Sequence, residues 1–192
     1  FAGYAPFDDT SCENVVIKNN LFSGICRGLG SHSATLGIYY TDILIEGNVF
    51  ENLDDVAMIM YNYKNCTITN NTITNCASGI EFKAMSSLPN NNFNPPVVKS
   101  MEEAVDGFED DANSVISSNT ISVSGDDEYG ITSGIRLTGY EVKDNGVIPD
   151  YNFRVAGVKI VENRIESNGT TIALNDAENC SIATKILVTK QD

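Results

Sequence analysis

Asp54 and Asp55 stand side by side in Asn52-Leu-Asp-Asp-Val-Ala-Met58, at the entrance to an apolar run. Two carboxylates at a suitable separation can hydrolyse a glycosidic bond, one acting as acid and the other as base or nucleophile. Crowding raises the pKa of one member and keeps it protonated for the acid role. Glu81, in Gly79-Ile-Glu-Phe-Lys83, supplies a third carboxylate, so Asp54, Asp55 and Glu81 are the catalytic candidates. Four further residues are candidates for holding substrate. His32 is the only histidine and sits in Gly30-Ser-His-Ser33; Tyr39 offers a ring for sugar stacking; Lys83 and Arg136 offer cations. Either cation is also a base for proton abstraction in a lyase.

These residues need elements to bring them together, and the composition narrows what those elements are. The chain has 192 residues, 42% of them hydrophobic, enough for one domain with a sizeable core. Its net charge is −14, a surface that repels nucleic-acid phosphates and anionic membranes. The longest apolar run, Val56 to Met60, is far shorter than the ~20 residues a spanning helix requires. The five cysteines form no Cys-x-x-Cys pair and sit among apolar neighbours, which reads as buried small hydrophobes. No metal site is expected. Asp126-Asp-Glu128 and the acidic stretch 102–111 are oxygen clusters of the kind Ca²⁺ takes, but their spacing matches no calcium loop. The chain opens on Phe1, with no basic or apolar leader, and is expected to be a segment of a longer protein.

Asparagine is unusually frequent, at 22 residues, and it recurs periodically. The segments Asn14-Val-Val-Ile-Lys-Asn-Asn20-Leu-Phe22, Asp42-Ile-Leu-Ile-Glu-Gly-Asn48-Val-Phe50 and Asn65-Cys-Thr-Ile-Thr-Asn-Asn71-Thr-Ile73 align without gaps. Asn113 to Ile121, Gly157 to Ile165 and a degenerate copy from Asn179 to Leu187 continue the series. Within each copy apolar residues alternate with period two, the signature of a strand. The alignment predicts an interior column of Ile17, Ile45, Ile68, Ile116, Ile160 and Ile182. Asn20, Asn48, Asn71, Asn119 and Asn163 are expected at left-handed turns, hydrogen-bonded coil to coil as a ladder. A second strand per coil is expected at Gly37–Tyr40, Val56–Met60, Gly79–Lys83, Gly134–Thr138 and Thr171–Asn175. In it Ile38, Ala57, Ile80, Ile135 and Ile172 point inward, with Tyr40, Ile59, Phe82, Leu137 and Leu174. Tyr39, Met58, Glu81, Arg136, Met60 and Lys83 then point outward.

Short parallel strands with no helical period make an all-β solenoid. From residues 12 to 188 the repeat resembles the right-handed parallel β-helix of the pectate-lyase-like superfamily, with about six coils. The whole of 1–192 reads as a single domain, with 84–112 and 139–156 projecting as inserted loops. Asn52-Leu-Asp-Asp-Val-Ala57 is similar to the Asp-Asp motif of polygalacturonases. It departs from that family in placing His32 before the pair instead of after it. The resemblance implies a secreted or cell-surface protein with a carbohydrate groove on the outer face of one stacked sheet. The outer face of the second-strand sheet, which carries the candidates, is the expected location. The first-strand outer face, with Val16 and Leu44, is expected to be covered.

Two functions follow. The first is a carbohydrate-active enzyme without a cofactor (Ca²⁺ excepted) that cleaves a polysaccharide by glycoside hydrolysis over Asp54, Asp55 and Glu81. A polysaccharide lyase is its variant. The second is a non-catalytic β-helix stalk or glycan-binding segment of a surface protein, adhesin or phage spike.

Overall fold

The computed structural model describes residues 12–30, 40–61, 63–83, 113–127, 130–142 and 151–187. They are all-β, and among them no helix is long and apolar enough to cross a membrane. The chain winds in successive coils that pair in parallel, each strand hydrogen-bonded to its counterpart one coil away. Three ladders result. The first carries Ile17↔Ile45↔Ile68↔Ile116↔Ile160↔Ile182 in unbroken register, the predicted column. The second stacks Phe22↔Phe50↔Ile73↔Ile121↔Ile165↔Ile186. Its first two rings lie face to face with centroids 4.6 Å apart. The third stacks Leu29↔Met58↔Ile80↔Ile135↔Ile172 and, two residues on, Met60↔Phe82↔Leu137↔Leu174.

Coils turn where the backbone enters the left-handed region, a conformation Asn, Asp and Gly tolerate best. The residues there are not the ladder asparagines but those immediately before them: Asn19, Gly47, Asn70, Ser118 and Glu162, with φ between 55° and 67°. The ladder asparagine comes next and points inward. Asn48 Nδ2 donates to Asn71 Oδ1 at 3.0 Å, Asn71 to Asn119 at 3.0 Å and Asn119 to Asn163 at 2.9 Å. Each amide also donates to a carbonyl of the preceding coil: Asn48 to Ile17, Asn71 to Ile45, Asn119 to Ile68, Asn163 to Ile116. A buried amide with all its partners costs nothing to keep inside; one deprived of them costs about 1–3 kcal/mol.

The expected second strand is corrected in two coils. Met58 and Met60 are inside, fully buried, and Ile59 is the residue that faces out. The cause is a bulge. Leu53 pairs with Cys76 and Val56 with Ser78, so Asp54 and Asp55 together face Ala77. One extra residue reverses every side chain after it. In the first coil the third-ladder strand is Leu29–Gly30, and Tyr40 opens the next first-ladder strand, stacked on Tyr63 at 5.0 Å. Within 139–156, Tyr140–Val142 and Tyr151–Phe153 form an antiparallel pair, and Val155–Ala156 already belongs to the next coil. The stretch 84–112 lies outside the described residues.

Candidate polar groove at the coil corners

The bulge separates the aspartate pair. Asp55 is buried and its Oδ2 accepts from Arg27, at 2.9 Å from Nε and 2.5 Å from Nη2. Its backbone N–H donates to the Cys26 carbonyl. Arg27 was not among the candidates, yet the signal was available. The two residues are 28 apart, the same spacing as Asn20 and Asn48, so the repeat makes them neighbours. Asp54 is exposed.

Glu81 and Arg136 do sit on the outer face of the third ladder, paired in register, but that face is buried and not an open groove. Ile59, Val56 and Tyr61 are buried on it, and Glu81 and Arg136 are 2% and 3% exposed. Arg136 grips Glu81 with two hydrogen bonds, Nε–Oε1 3.1 Å and Nη2–Oε2 3.0 Å, and reaches Asp127 Oδ2 at 2.9 Å. Thr138 Oγ1 adds a bond to Glu81 at 3.3 Å. Burial alone would pull the Arg136 pKa down, but the hydrogen bonds and charges of Glu81 and Asp127 carry it above its usual value. Lys83 is half-buried, its Nζ 6.0 Å from the Tyr61 ring centre. His32 and Tyr39 lie outside the described residues. The first-ladder outer face, expected to be covered, is open: Val16 is 62% exposed.

Asp54 faces a concave surface. Two depressions of about 310 and 520 Å³ meet at Gly125 and Asp126. Asn52, Asp54, Asn75, Ala77 and Ser124 line the first; Thr132, Asn168 and Thr170 line the second. They come from corner residues of four successive coils, about 4.8 Å apart along the stack. Amides, hydroxyls and carboxylates dominate, and no Lys or Arg lies among the described lining residues. Asp126, noted in the sequence only as a possible calcium ligand, is exposed and its Oδ1 accepts from Thr132 Oγ1 at 3.3 Å. The neighbouring Asp127 is buried, its Oδ1 accepts from the Ile131 N–H at 3.1 Å, and its Oδ2 is held by Arg136.

The fold and the groove thus define an all-β protein of stacked parallel coils with a polar corner cleft. The model of a family described as periplasmic copper-binding protein (NosD) matches residues 9–98. That family belongs to the right-handed parallel β-helix superfamily, and its periplasmic setting agrees with a secreted or cell-surface location. No curated protein and no solved structure matches the chain.

Among the described residues no site suited to that family's copper is formed. Copper takes thiolate, thioether and imidazole ligands. In the matched stretch Met58, Met60, Cys66 and Cys76 are buried in the core, Cys12 is half-buried and Cys26 is exposed, and His32 and Met85 lie outside the described residues. Burial pushes the Cys66 thiol up to about 12, only partly opposed by its hydrogen bonds, and raises Cys76 as well. Among the described residues no three His, Cys, Asp or Glu side chains gather to hold a metal ion.

Proposed function

We propose that the chain is a right-handed parallel β-helix acting outside the cytoplasm, which holds a neutral or amine-bearing polysaccharide in the corner groove. The observation that carries this reading is the groove's lining. Hydroxyl, amide and carboxylate groups recur at coil spacing, a periodic set of hydrogen-bonding partners suited to a periodic, hydroxyl-rich polymer. Asp54 and Asp126 set the charge preference. With a net charge of −14 around them, they disfavour a polyuronate and favour a glycan carrying amines or no charge.

A second reading, hydrolysis of the same glycan, is favoured by one observation. Asp54 and Asp126 both line the groove, and the register places their segments two coils apart, about 10 Å along the stack. That is the outer edge of the range for an inverting carboxylate pair. Asp55 and Glu81 are committed to Arg27 and Arg136, so the catalytic work would fall to Asp54 and Asp126.

A polysaccharide panel tests both readings, with soluble glucosamine, N-acetylglucosamine, glucose and galacturonate polymers. Binding is read by depletion, hydrolysis by reducing-end release, and elimination by absorbance of unsaturated products. Binding to amine-bearing or neutral polymers is expected. Reducing ends that vanish in Asp126→Asn would establish the hydrolase. Silence across the panel, or preference for polygalacturonate, would overturn the proposal.

A further inference from the structure

Three times in this sequence Asn is followed by Cys: Asn65-Cys66, Asn75-Cys76 and Asn179-Cys180. Each of these asparagines is in the left-handed region, with φ 51° in all three. The geometry that follows is the same each time. Cys66 Sγ donates to the carbonyl two residues back, Lys64, at 3.1 Å, and to Tyr40 in the preceding coil at 3.7 Å. Cys76 donates to Thr74 at 3.4 Å and Phe50 at 3.7 Å; Cys180 donates to Glu178 at 3.2 Å and Val155 at 3.9 Å.

This is the ladder asparagine's pattern. Asn48 donates to Glu46, two residues back, and to Ile17, three residues before its partner Asn20 in the preceding coil. Cys66, Cys76 and Cys180 face Ile43, Leu53 and Val158, and three residues before those stand Tyr40, Phe50 and Val155. The parallel extends to the acceptor. Ser114 Oγ accepts from the Cys66 N–H at 3.1 Å, as Asn119 Oδ1 accepts from the Asn71 N–H at 2.9 Å.

We infer that Cys66, Cys76 and Cys180 are corner donors, repeating at the other turns of the coil the role of the asparagine ladder, and that the coil body withholds these thiols from copper. The role needs S–H and the metal needs S⁻. A carbonyl pair that engages the proton, in the buried core at Cys66 and Cys76 and half-buried at Cys180, favours the first over the second. The asparagine at the left-handed corner shapes the turn, and the next side chain closes it with whatever donor the column's volume admits. This parts these three thiols from the copper named in the family the chain partly matches.

The test uses the whole chain and the triple variant Cys66→Ser, Cys76→Ser, Cys180→Ser, which keeps a donor at each corner. Both are titrated with Cu(I) under a competing chelator, and folding is followed by circular dichroism. The triple variant is expected to fold and to hold the same copper as wild type, none or otherwise. Reagent labelling of native wild type should leave Cys66 and Cys76 unmodified after exposed Cys26 has reacted fully, with both appearing on unfolding. The inference is overturned if a folded triple variant loses copper that wild type holds. It is equally overturned if Cys66 and Cys76 react natively as fast as Cys26. Should the triple variant not fold, the three single serine variants give the same copper comparison.

Discussion

The Asn71 side-chain amide donates to Oδ1 of Asn119 at 3.0 Å, and the Asn71 backbone N–H donates to the same oxygen at 2.9 Å. One acceptor thus fastens two donors of the coil before it, and Asn71 is 1% exposed. Replacing it with leucine removes the acceptor of the Asn48 side-chain amide and backbone N–H and the donor to the Ile45 carbonyl. Asn71→Leu should cost about 1–3 kcal/mol. Asn75→Gly, at an exposed corner with φ 51°, should stay within about 0.5 kcal/mol of wild type. Urea unfolding of both variants checks the contrast.

The bulge at Asp54–Asp55 decides which side of the wall the methionines occupy. Met58→Lys should abolish cooperative folding, because a lysine there faces Leu29 and Ile80 with no counter-charge in the column. Val16→Lys, on the open first-ladder face, should change stability by less than about 0.5 kcal/mol. A Met58→Lys protein melting near the wild-type temperature would return Met58 to the outer face.

The buried charges around Arg136 must stand or fall together. Removing one partner of such a set leaves an uncompensated charge, at a cost of about 3–5 kcal/mol. Arg136→Ala should fall in that range, since it removes the guanidinium that the buried Glu81 and Asp127 carboxylates share. Arg27→Ala should cost less, as the Arg27 side chain is 34% exposed. Thermal melts of the two variants give the order directly.

The core thiols make stability depend on pH at the alkaline end. Cys66 has its pKa raised in the folded state to about 12, while the unfolded chain releases that proton near 9. Above that lower value the unfolded state holds fewer protons than the folded one, so stability falls as pH rises. Its contribution is complete below about pH 9 and is lost progressively towards pH 12. Cys66→Ser should shallow the decline in wild-type unfolding free energy between pH 8.5 and 10.5; an unchanged slope would contradict the assignment.

Much of this fold was legible because the repeat is regular where it matters most. The isoleucine column from Ile17 to Ile182 and the asparagine ladder each come from ungapped copies, so counting residues was enough. Met58 and Met60 were misplaced because a bulge adds one residue without disturbing the composition, and alternation on either side reads equally well. The pairing of Glu81 with Arg136 was implicit in their aligned positions, but the burial that turns them into an anchor was not. The groove was illegible for a different reason. Its lining comes in short corner segments of about three residues from four coils, and Asp126 is separated from Asp54 by the long insertion at 84–112.

The central claim, glycan binding at the corners, is tested most directly by hydrogen exchange with and without a glucosamine hexamer at pH 6. Binding should slow exchange at 52–54, 75–77, 124–126 and 168–170, and leave the Val16 face unchanged; Ser124→Trp, which fills the groove at an exposed lining position, should abolish the effect. Protection confined to other surfaces, or protection that survives Ser124→Trp, would contradict the account.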